Sequence, residues 1–455
     1  MRPALESTLK VKRSKRRIRP SVTSDGEGLV SRAGTALLTE LADTLGLTAD
    51  LAEAMAATRQ RRSAHDPGDV LRDLAVVLAD GGDRLAHLGV LRDQPDLFGG
   101  VASGPTAWRV LASVDAERLA ALEVARAHAR ARAWRAGAAP KGELVMDFDA
   151  TLLTAHSEKE QASGNYKHGF GFHPLLCYLD NTEEALAGLL RPGNAAAHTP
   201  ADHVTVLKAA LAQIPPPRPR VRRRILARAD SAGATHGFVN ALREQGIRFS
   251  VGFELREKVR SAVLEMPAGA WVPAIRQDGK DRDGAHVCEL TGLDLSGWPD
   301  GTRAICRREE PHPGAQPTFT DINGYRFQVF ITDQDDDDIA YLEARHRGHA
   351  RVENRIRCGK DTGMRNLPFQ GFAENAAWLA LVLTAQDLLA WTQQLCLSGD
   401  AQRWEPKRLR YCLLHVAGRL SRSGRRVTLR LQRSWPWVNE LVRAFTRLRS
   451  LPAAV

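Results

Sequence analysis

The chain has 455 residues, 43% hydrophobic and 26% charged, which allows two or three domains with real cores and excludes a disordered or low-complexity protein. Its formal net charge of +11 favours polyanionic partners. Cys177, Cys288, Cys306, Cys358, Cys396 and Cys412 are scattered without a CxxC or Cys/His cluster, which argues against a zinc module or disulfide framework and for a reducing compartment.

Charge sits at the ends. Residues 1–20 carry eight Lys/Arg against Glu6 alone, and 1–25 reads as a basic tail. It lacks the apolar run of a signal peptide. Residues 26–140 read as helices, with Leu37, Leu38, Leu41, Leu45 and Leu51, then Leu71, Leu74, Val77 and Leu78, at helical spacing. Ser103-Gly-Pro-Thr-Ala-Trp-Arg109 opens a short helix whose first residues suit the recognition helix of a helix-turn-helix unit, so this region is assigned to DNA binding, with Arg109 as a contact.

The pattern changes at Gly142. Leu144–Leu153 is a buried strand, Phe172–Asp180 a second, Asn181–Glu184 a turn, and Ala185–Arg191 a third. A helix (His203–Gln213), the breaker Pro215–Pro219, a strand (Arg224–Asp230), a helix (Thr235–Gln245) and a strand (Ile247–Phe253) follow. Three antiparallel strands and then alternating helix and strand is the order of an RNase H-like fold. The fold class expected is therefore α/β: a mixed five-stranded sheet with helices, an all-α N-terminal region, and a β-rich insertion before a helix bearing Glu353. The core occupies 141–255 and 333–400, and the insertion 256–332. A helix spans Asp338–Gly359 and a buried one Phe372–Leu395, whose apolar stretch Ala376–Ala385 is too short to span a bilayer. Residues 401–455 form a basic C-terminal region, with thirteen Lys/Arg between Arg403 and Arg449 against Glu405 and Glu440.

Three acids stand out. Strand alternation puts Asp147 and Asp149 on one face, and carboxylates in an apolar strand are costly unless paired or bound to a cation. Periodicity does not separate the two. Asp230 ends an apolar strand just before a helix, where it could also serve as a cap. Glu353 lies on a helix where His346, His349, Arg357 and Lys360 fall within about a quarter-turn of it. One acid ringed by bases suits a metal carboxylate beside DNA phosphates. An i,i+4 ion-pair ladder would produce the same stripe. Asp335–Asp338 is read as acids facing a helix N-terminus.

Asp147-Phe-Asp-Ala-Thr151, Gly171-Phe-His-Pro-Leu175, Leu190-Arg-Pro-Gly-Asn194, Ala227-Arg-Ala-Asp-Ser-Ala-Gly233 and the Glu353 helix, in that order, resemble the DDE insertion-sequence transposases, most closely the insertion-sequence 1380 family. The resemblance covers about residues 30–440. It implies that Asp149, Asp230 and Glu353 are the catalytic, metal-holding acids. Such a trio holds two Mg²⁺ or Mn²⁺ ions about 4 Å apart for water attack at the element's end and then attack of the freed 3′-OH on target DNA. It further implies double-stranded DNA partners (terminal inverted repeats and target), a homodimer on paired ends, and a cytoplasmic, nucleoid-associated bacterial protein with no membrane. Lys360, Arg357, His349 and His346 would join Arg109 as DNA contacts. The related signature, Tyr-x2-Arg-x3-Glu-x6-Lys, is met by Glu353 and Lys360, while His346 and His349 replace its Tyr and Arg. Trp271 and Trp298, in the insertion, are the aromatics available to brace a flipped base, and packing in a local core is the more common role for either.

Two other functions fit parts of the pattern. Asp147-Phe-Asp-Ala-Thr151 matches the Asp-x-Asp-x-Thr motif of haloacid-dehalogenase-type phosphatases, with Asp147 as nucleophile and Asp149 as general acid. The hairpin at 172–191 leaves no room for that fold's helical crossover. A transposase-derived, non-catalytic DNA-binding protein is the other alternative.

Overall fold

The computed structural model describes residues 20–59, 64–216, 224–311, 314–316 and 321–452. The basic run Lys10–Arg19 and the Pro217–Pro219 part of the proline breaker lie outside the described residues. Helices occupy the N-terminal region, where the first stripe, on Ala36–Thr44 and Leu47–Ala54, is held by burial without a side-chain cap and three later helices start at good caps. Asp66 accepts from Gly68 N to start α1 (Pro67–Ala79), Ser103 caps α2 (Gly104–Ala112), and Asp115 caps α3 (Ala116–Ala133). In α1, Val70, Leu71, Leu74, Val77 and Leu78 are buried, and with them this region joins the hydrophobic core of the sheet.

That sheet is mixed and has ten strands. Its central part comprises β1 (Leu144–Ala150), β2 (Leu175–Leu179), β3 (Glu184–Leu189), β4 (Ile225–Ala229) and β5 (Arg248–Phe253), in the order β3-β2-β1-β4-β5. The first three are antiparallel neighbours, and β1–β4 and β4–β5 are parallel. The hairpin residues Asn181–Glu183 force the antiparallel turn, and α4 (Pro200–Gln213) and α5 (His236–Glu244) supply the crossovers that parallel neighbours require. The expected second strand is in fact two: Phe170–Phe172 turns away at His173-Pro174 to pair with Leu153–Thr154, and only Leu175–Leu179 joins β1.

The insertion does not fold apart. Its strands β6 (Val272–Ile275), β7 (Asp281–Glu289), β8 (Arg303–Glu309) and β9 (Tyr325–Thr332) continue the same sheet, because β9 pairs antiparallel with β5. Trp271 and Trp298 pack within the protein. Trp271 meets Phe327 at 6.1 Å and lies 4.3 Å from the Arg308 guanidinium, while Trp298 meets His236 at 4.3 Å and Phe253 at 5.7 Å.

The expected helix over Asp338–Gly359 forms, with one tighter turn inside it. α6 (Ile339–Arg347) and α7 (Arg351–Gly359) are joined by a tighter turn at Gly348–Ala350. A Cβ on Gly348 would come within 2.5 Å of the Arg228 guanidinium, so the helix passes over that arginine only because the residue there has no side chain. Asp338 caps α6 through Tyr341 N at 2.9 Å, and Asp335 pairs with Arg248. α8 (Phe372–Trp391) is buried on almost every side, between α1 and β3. Arg126 and Arg130 of α3 are wholly buried and reach Asp387 of α8 at 3.2 and 2.5 Å, and Arg130 also meets Glu184 of β3 at 3.0 Å.

In the C-terminal region, β10 (Gly418–Ser423) and β11 (Arg426–Leu431) form a hairpin that residues Leu29–Val30 extend, followed by α9 (Val438–Ser450). Trp435 and Trp437 meet each other and Tyr411 edge to face and pack against the core. Among the described residues no helix is long and apolar enough to cross a membrane.

Candidate active site

Parallel pairing of β1 with β4 sets the first two acids side by side. Asp147 is the register partner of Arg228, and Phe148 of Ala229. One step further, at the C-terminal edge of both strands, come Asp149 and Asp230. Side-chain alternation puts Asp147, Asp149, Arg228 and Asp230 on the same face, the one that α6 and α7 cross. The opposite face is apolar, with Phe148 edge-on to Phe238 at 5.1 Å.

The two aspartates of β1 have opposite surroundings. Asp147 is 1% exposed and accepts two hydrogen bonds from Arg228, Nε and Nη2, both 2.8 Å, and a contact of 2.9 Å from His349 Nδ1. Arg228 Nη2 also meets Asp180 at 2.9 Å, and Asp180 in turn pairs with Arg351 of α7. This chain of charges ties β1, β4, the β2 end and the α6–α7 turn together. Among the described residues Asp149 has no ion pair with an arginine or lysine, although Lys360 is within electrostatic reach. Burial above all pushes its pKa up, to about 6; His349 pulls it down, Asp230 adds to the rise, the Ala150 N–H opposes it, and Glu353 adds again. Asp230 and Glu353, the other acids singled out from the sequence, are thus both within electrostatic reach of Asp149. Asp230 and Glu353 are exposed, and neither has an ion-pair partner among the described residues. Asp230 also accepts from Ala232 N at 3.0 Å, capping the turn Ser231–Gly233, so the cap and the cluster coexist.

Among the described residues no group of three or more His, Cys, Asp or Glu side chains is close enough together to hold a metal ion. The chemistry of the set nonetheless suits a hard divalent cation: three carboxylates, one half-buried without a basic partner, on an open rim. Among the described residues every fully buried acid elsewhere, including Asp73, Asp80, Glu184, Glu343 and Asp387, is paired with arginine.

The bases separate. Lys360 follows α7 and lies half-buried; burial and Arg365 lower its pKa while Asp149 opposes this. His349 is engaged by Asp147 and lies beside Asp149. His346 faces inward, not toward a phosphate. It stacks on Phe330 at 4.3 Å, its Nδ1 lies 2.9 Å from Ser250 Oγ, and burial drives its pKa down to about 3, leaving it neutral. Arg357 is turned to Glu405 and Asn354. Of the expected stripe, His349, Glu353 and Lys360 therefore stay on the Asp149 side, while His346 and Arg357 are engaged elsewhere. Arg109 is exposed on α2, hydrogen-bonded to Thr106 at 3.1 Å, beside Trp108, which is 51% exposed.

Sequence reasoning passed over the hairpin Ser163–Phe172. Lys167 is close enough to depress the Lys360 pKa, and Tyr166, 68% exposed, lies 6.0 Å from His173, whose ring feels Asp230. An aromatic and a cation of this hairpin thus lie near His173 and Lys360, neighbours of the acids. The turn-rich Gly164-Asn-Tyr-Lys-His-Gly169 was the available signal.

The raised Asp149 pKa has a stability consequence. A carboxyl whose folded pKa lies above its unfolded value of about 3.9 stabilises the fold below that value and loses the contribution as pH rises through about 6. The metal-free protein should therefore gain thermal stability as pH falls from 7.5 toward 5 at this site. Asp149→Asn should flatten that segment of the pH–Tm curve, as scanning calorimetry in EDTA can check. An unchanged curve would mean that Asp149 is ordinary.

By family, the chain is a transposase. It belongs to transposase DDE domain group 1, whose model matches residues 12–453. No curated protein sequence matches it. Among solved structures, the cryo-EM structure of the piggyBac transposase synaptic complex with hairpin DNA aligns with 85% of this chain and 80% of that one, at 7% identity and a TM-score of 0.44. So loose a likeness transfers no residue role.

Proposed function

We propose that this transposase cuts at the inverted-repeat ends of its element and joins the freed 3′-OH to target DNA, with Asp149, Asp230 and Glu353 as the catalytic acids. The order β3-β2-β1-β4-β5, with acids at adjacent ends of β1 and β4, supports an RNase H-like core, and the motif order supports the insertion-sequence 1380 family. The observation that carries the reading is the half-buried carboxylate of Asp149, which burial, Asp230 and Glu353 push toward the neutral form, while His349 and Lys360 oppose this and no arginine or lysine forms an ion pair with it among the described residues. A pair of Mg²⁺ or Mn²⁺ ions, when bound, would neutralise that charge and supply Lewis-acid stabilisation.

The remaining chemistry belongs to the chain. Asp149, on rigid sheet, and Glu353, on a helix anchored by the Arg228–Asp180–Arg351 ion pairs, converge from two elements. Asp147 holds His349 in place beside Asp149. Lys360 and Lys167 offer positive charge to a phosphate arriving at the rim. In the first step a water oxygen bonds to phosphorus and the P–O3′ bond breaks, leaving a 5′-phosphate and a 3′-OH. In the second, that hydroxyl loses its proton and bonds to a target phosphorus, which expels a target 3′-oxygen. The exposed rim suits a duplex better than a small ester. Action as a homodimer on paired ends, in the cytoplasm at the nucleoid, is part of the same proposal.

The phosphatase alternative requires Asp147 as a free nucleophile, and its carboxylate is already taken by Arg228 and His349. One assay separates the possibilities: incubation of the wild-type chain with Mg²⁺ or Mn²⁺ and a duplex bearing the element's ends, in parallel with a small phosphomonoester. Metal-dependent nicks ending in 3′-OH, with no phosphate release, are expected. Phosphate release without nicking would defeat the proposal, and binding without either reaction would favour the non-catalytic reading.

A further inference from the structure

We infer that the C-terminal ribbon β10–β11 is a second DNA-binding face that grips duplex phosphates away from the acids. The inference rests on the transposase reading for the identity of its ligand.

Residues 418–433 contain six arginines and no acid. Register sorts them. Arg419 lies opposite Arg430, Ser421 opposite Thr428, and Ser423 opposite Arg426, all on one face of the ribbon. The other face carries Leu420 opposite Leu429 and Gly418 opposite Leu431, and these leucines pack on the core. Like charges directly across a strand pair repel, so Arg419 beside Arg430 costs stability unless an anion lies between them. No protein group supplies it: among the described residues Arg419, Arg425, Arg426 and Arg430 have no carboxylate partner, and Arg430 Nε makes its hydrogen bond to Ser421 Oγ at 3.0 Å. All four arginines are exposed.

The contrast with neighbouring basic residues is sharp. On α9, Arg443 and Arg447 pair with Glu440, and Arg449 with Glu40. Arg422, on the ribbon's other face, pairs with Asp96. Only the outward face is left without acids. Its shape also fits. The third strand, Leu29–Val30, reaches only the base of the ribbon, and the tip beyond it is two-stranded. That tip turns through Gly424, at φ +59, with open space around it. The two-stranded tip, with Arg425 and Arg426, is narrow enough for the major groove of B-DNA, which leaves Arg419 and Arg430 at the three-stranded base to meet the flanking phosphates.

The test measures binding of the full-length chain to a short random-sequence duplex in EDTA, by fluorescence anisotropy across a salt series. Arg419→Gln with Arg430→Gln should weaken binding about tenfold and flatten the slope of log K against log salt by about 2, one unit for each lost phosphate contact. Arg419→Lys with Arg430→Lys, which keeps both charges, should retain most of the slope. Arg443→Gln with Arg449→Gln removes the same charge from ion-paired positions and should bind like wild type. Wild-type affinity and slope in the ribbon glutamine variant would overturn the inference, as would an equal loss in the α9 variant. Cleavage is scored separately. A chain that binds through the ribbon but never cuts refutes the catalytic reading alone, and one that cuts while ignoring the ribbon substitutions refutes this inference alone.

Discussion

Glu353→Gln should reduce strand cleavage and joining by at least about a thousandfold while leaving duplex affinity within a few-fold of wild type. The substitution keeps the size and hydrogen-bonding capacity of an exposed side chain and removes only its charge. Charge is what the site needs. A phosphodiester in attack gathers negative charge that cations must offset, and lost Lewis-acid stabilisation of several kcal/mol translates into three or more powers of ten in rate. Asp149→Asn and Asp230→Asn should do the same. Asp230→Asn retains an oxygen that can cap Ser231–Gly233, so loss of cleavage there is not a folding effect. Gel assays of end cleavage with Mg²⁺ and with Mn²⁺ decide the matter. Residual cutting above about a tenth of wild type in the Glu353 variant would remove that residue from the reaction.

The acids were legible in the sequence because carboxylates inside apolar strands are expensive, and because Asp230 and Glu353 sit at the ends and on the faces such strands and helices imply. Strand alternation could say that Asp147 and Asp149 share a face. It could not say which of them meets an arginine, since that depends on β1 lying beside β4 in the register that sets Asp147 against Arg228. Over 338–359 helical periodicity placed His349, Glu353 and Lys360 together, as the fold does; it could not show that Arg228 fills the space beneath Gly348 or that Phe330 and Glu405 claim His346 and Arg357. The insertion read correctly as strands, but its union with the central sheet is a pairing of β5 with β9 across some eighty residues, which local pattern does not encode. The C-terminal ribbon was hidden by its arginines: alternation of Leu420, Leu429 and Leu431 with charged residues and a glycine turn at Gly424 was present, and basic composition masked it.

Asp147→Ala should destabilise the fold by about 3–5 kcal/mol, the range expected when one partner of a buried ion pair is removed. The cost arises from what remains. Arg228 is buried to 2% exposure and would keep its charge, with Asp180 as its remaining carboxylate and Arg351 competing for that same group. His349 would lose the contact that orients it. Asp147→Asn, which keeps an acceptor for Arg228 but no charge, should fall between alanine and wild type. Two residues along the same strand the sign reverses: Asp149→Asn should stabilise the metal-free protein at pH 7.5 by about 1–2 kcal/mol, the conversion of its shift after discounting for solvent screening. Urea unfolding in EDTA measures both. Divalent metal should then raise the stability of wild type and not of the Asp149 variant, because only a charged carboxylate gains from a cation. If Asp147→Ala proved neutral while Asp149→Asn was destabilising, the division of labour between the two aspartates would be reversed, and the arginine-paired acid would be the one to test for chemistry.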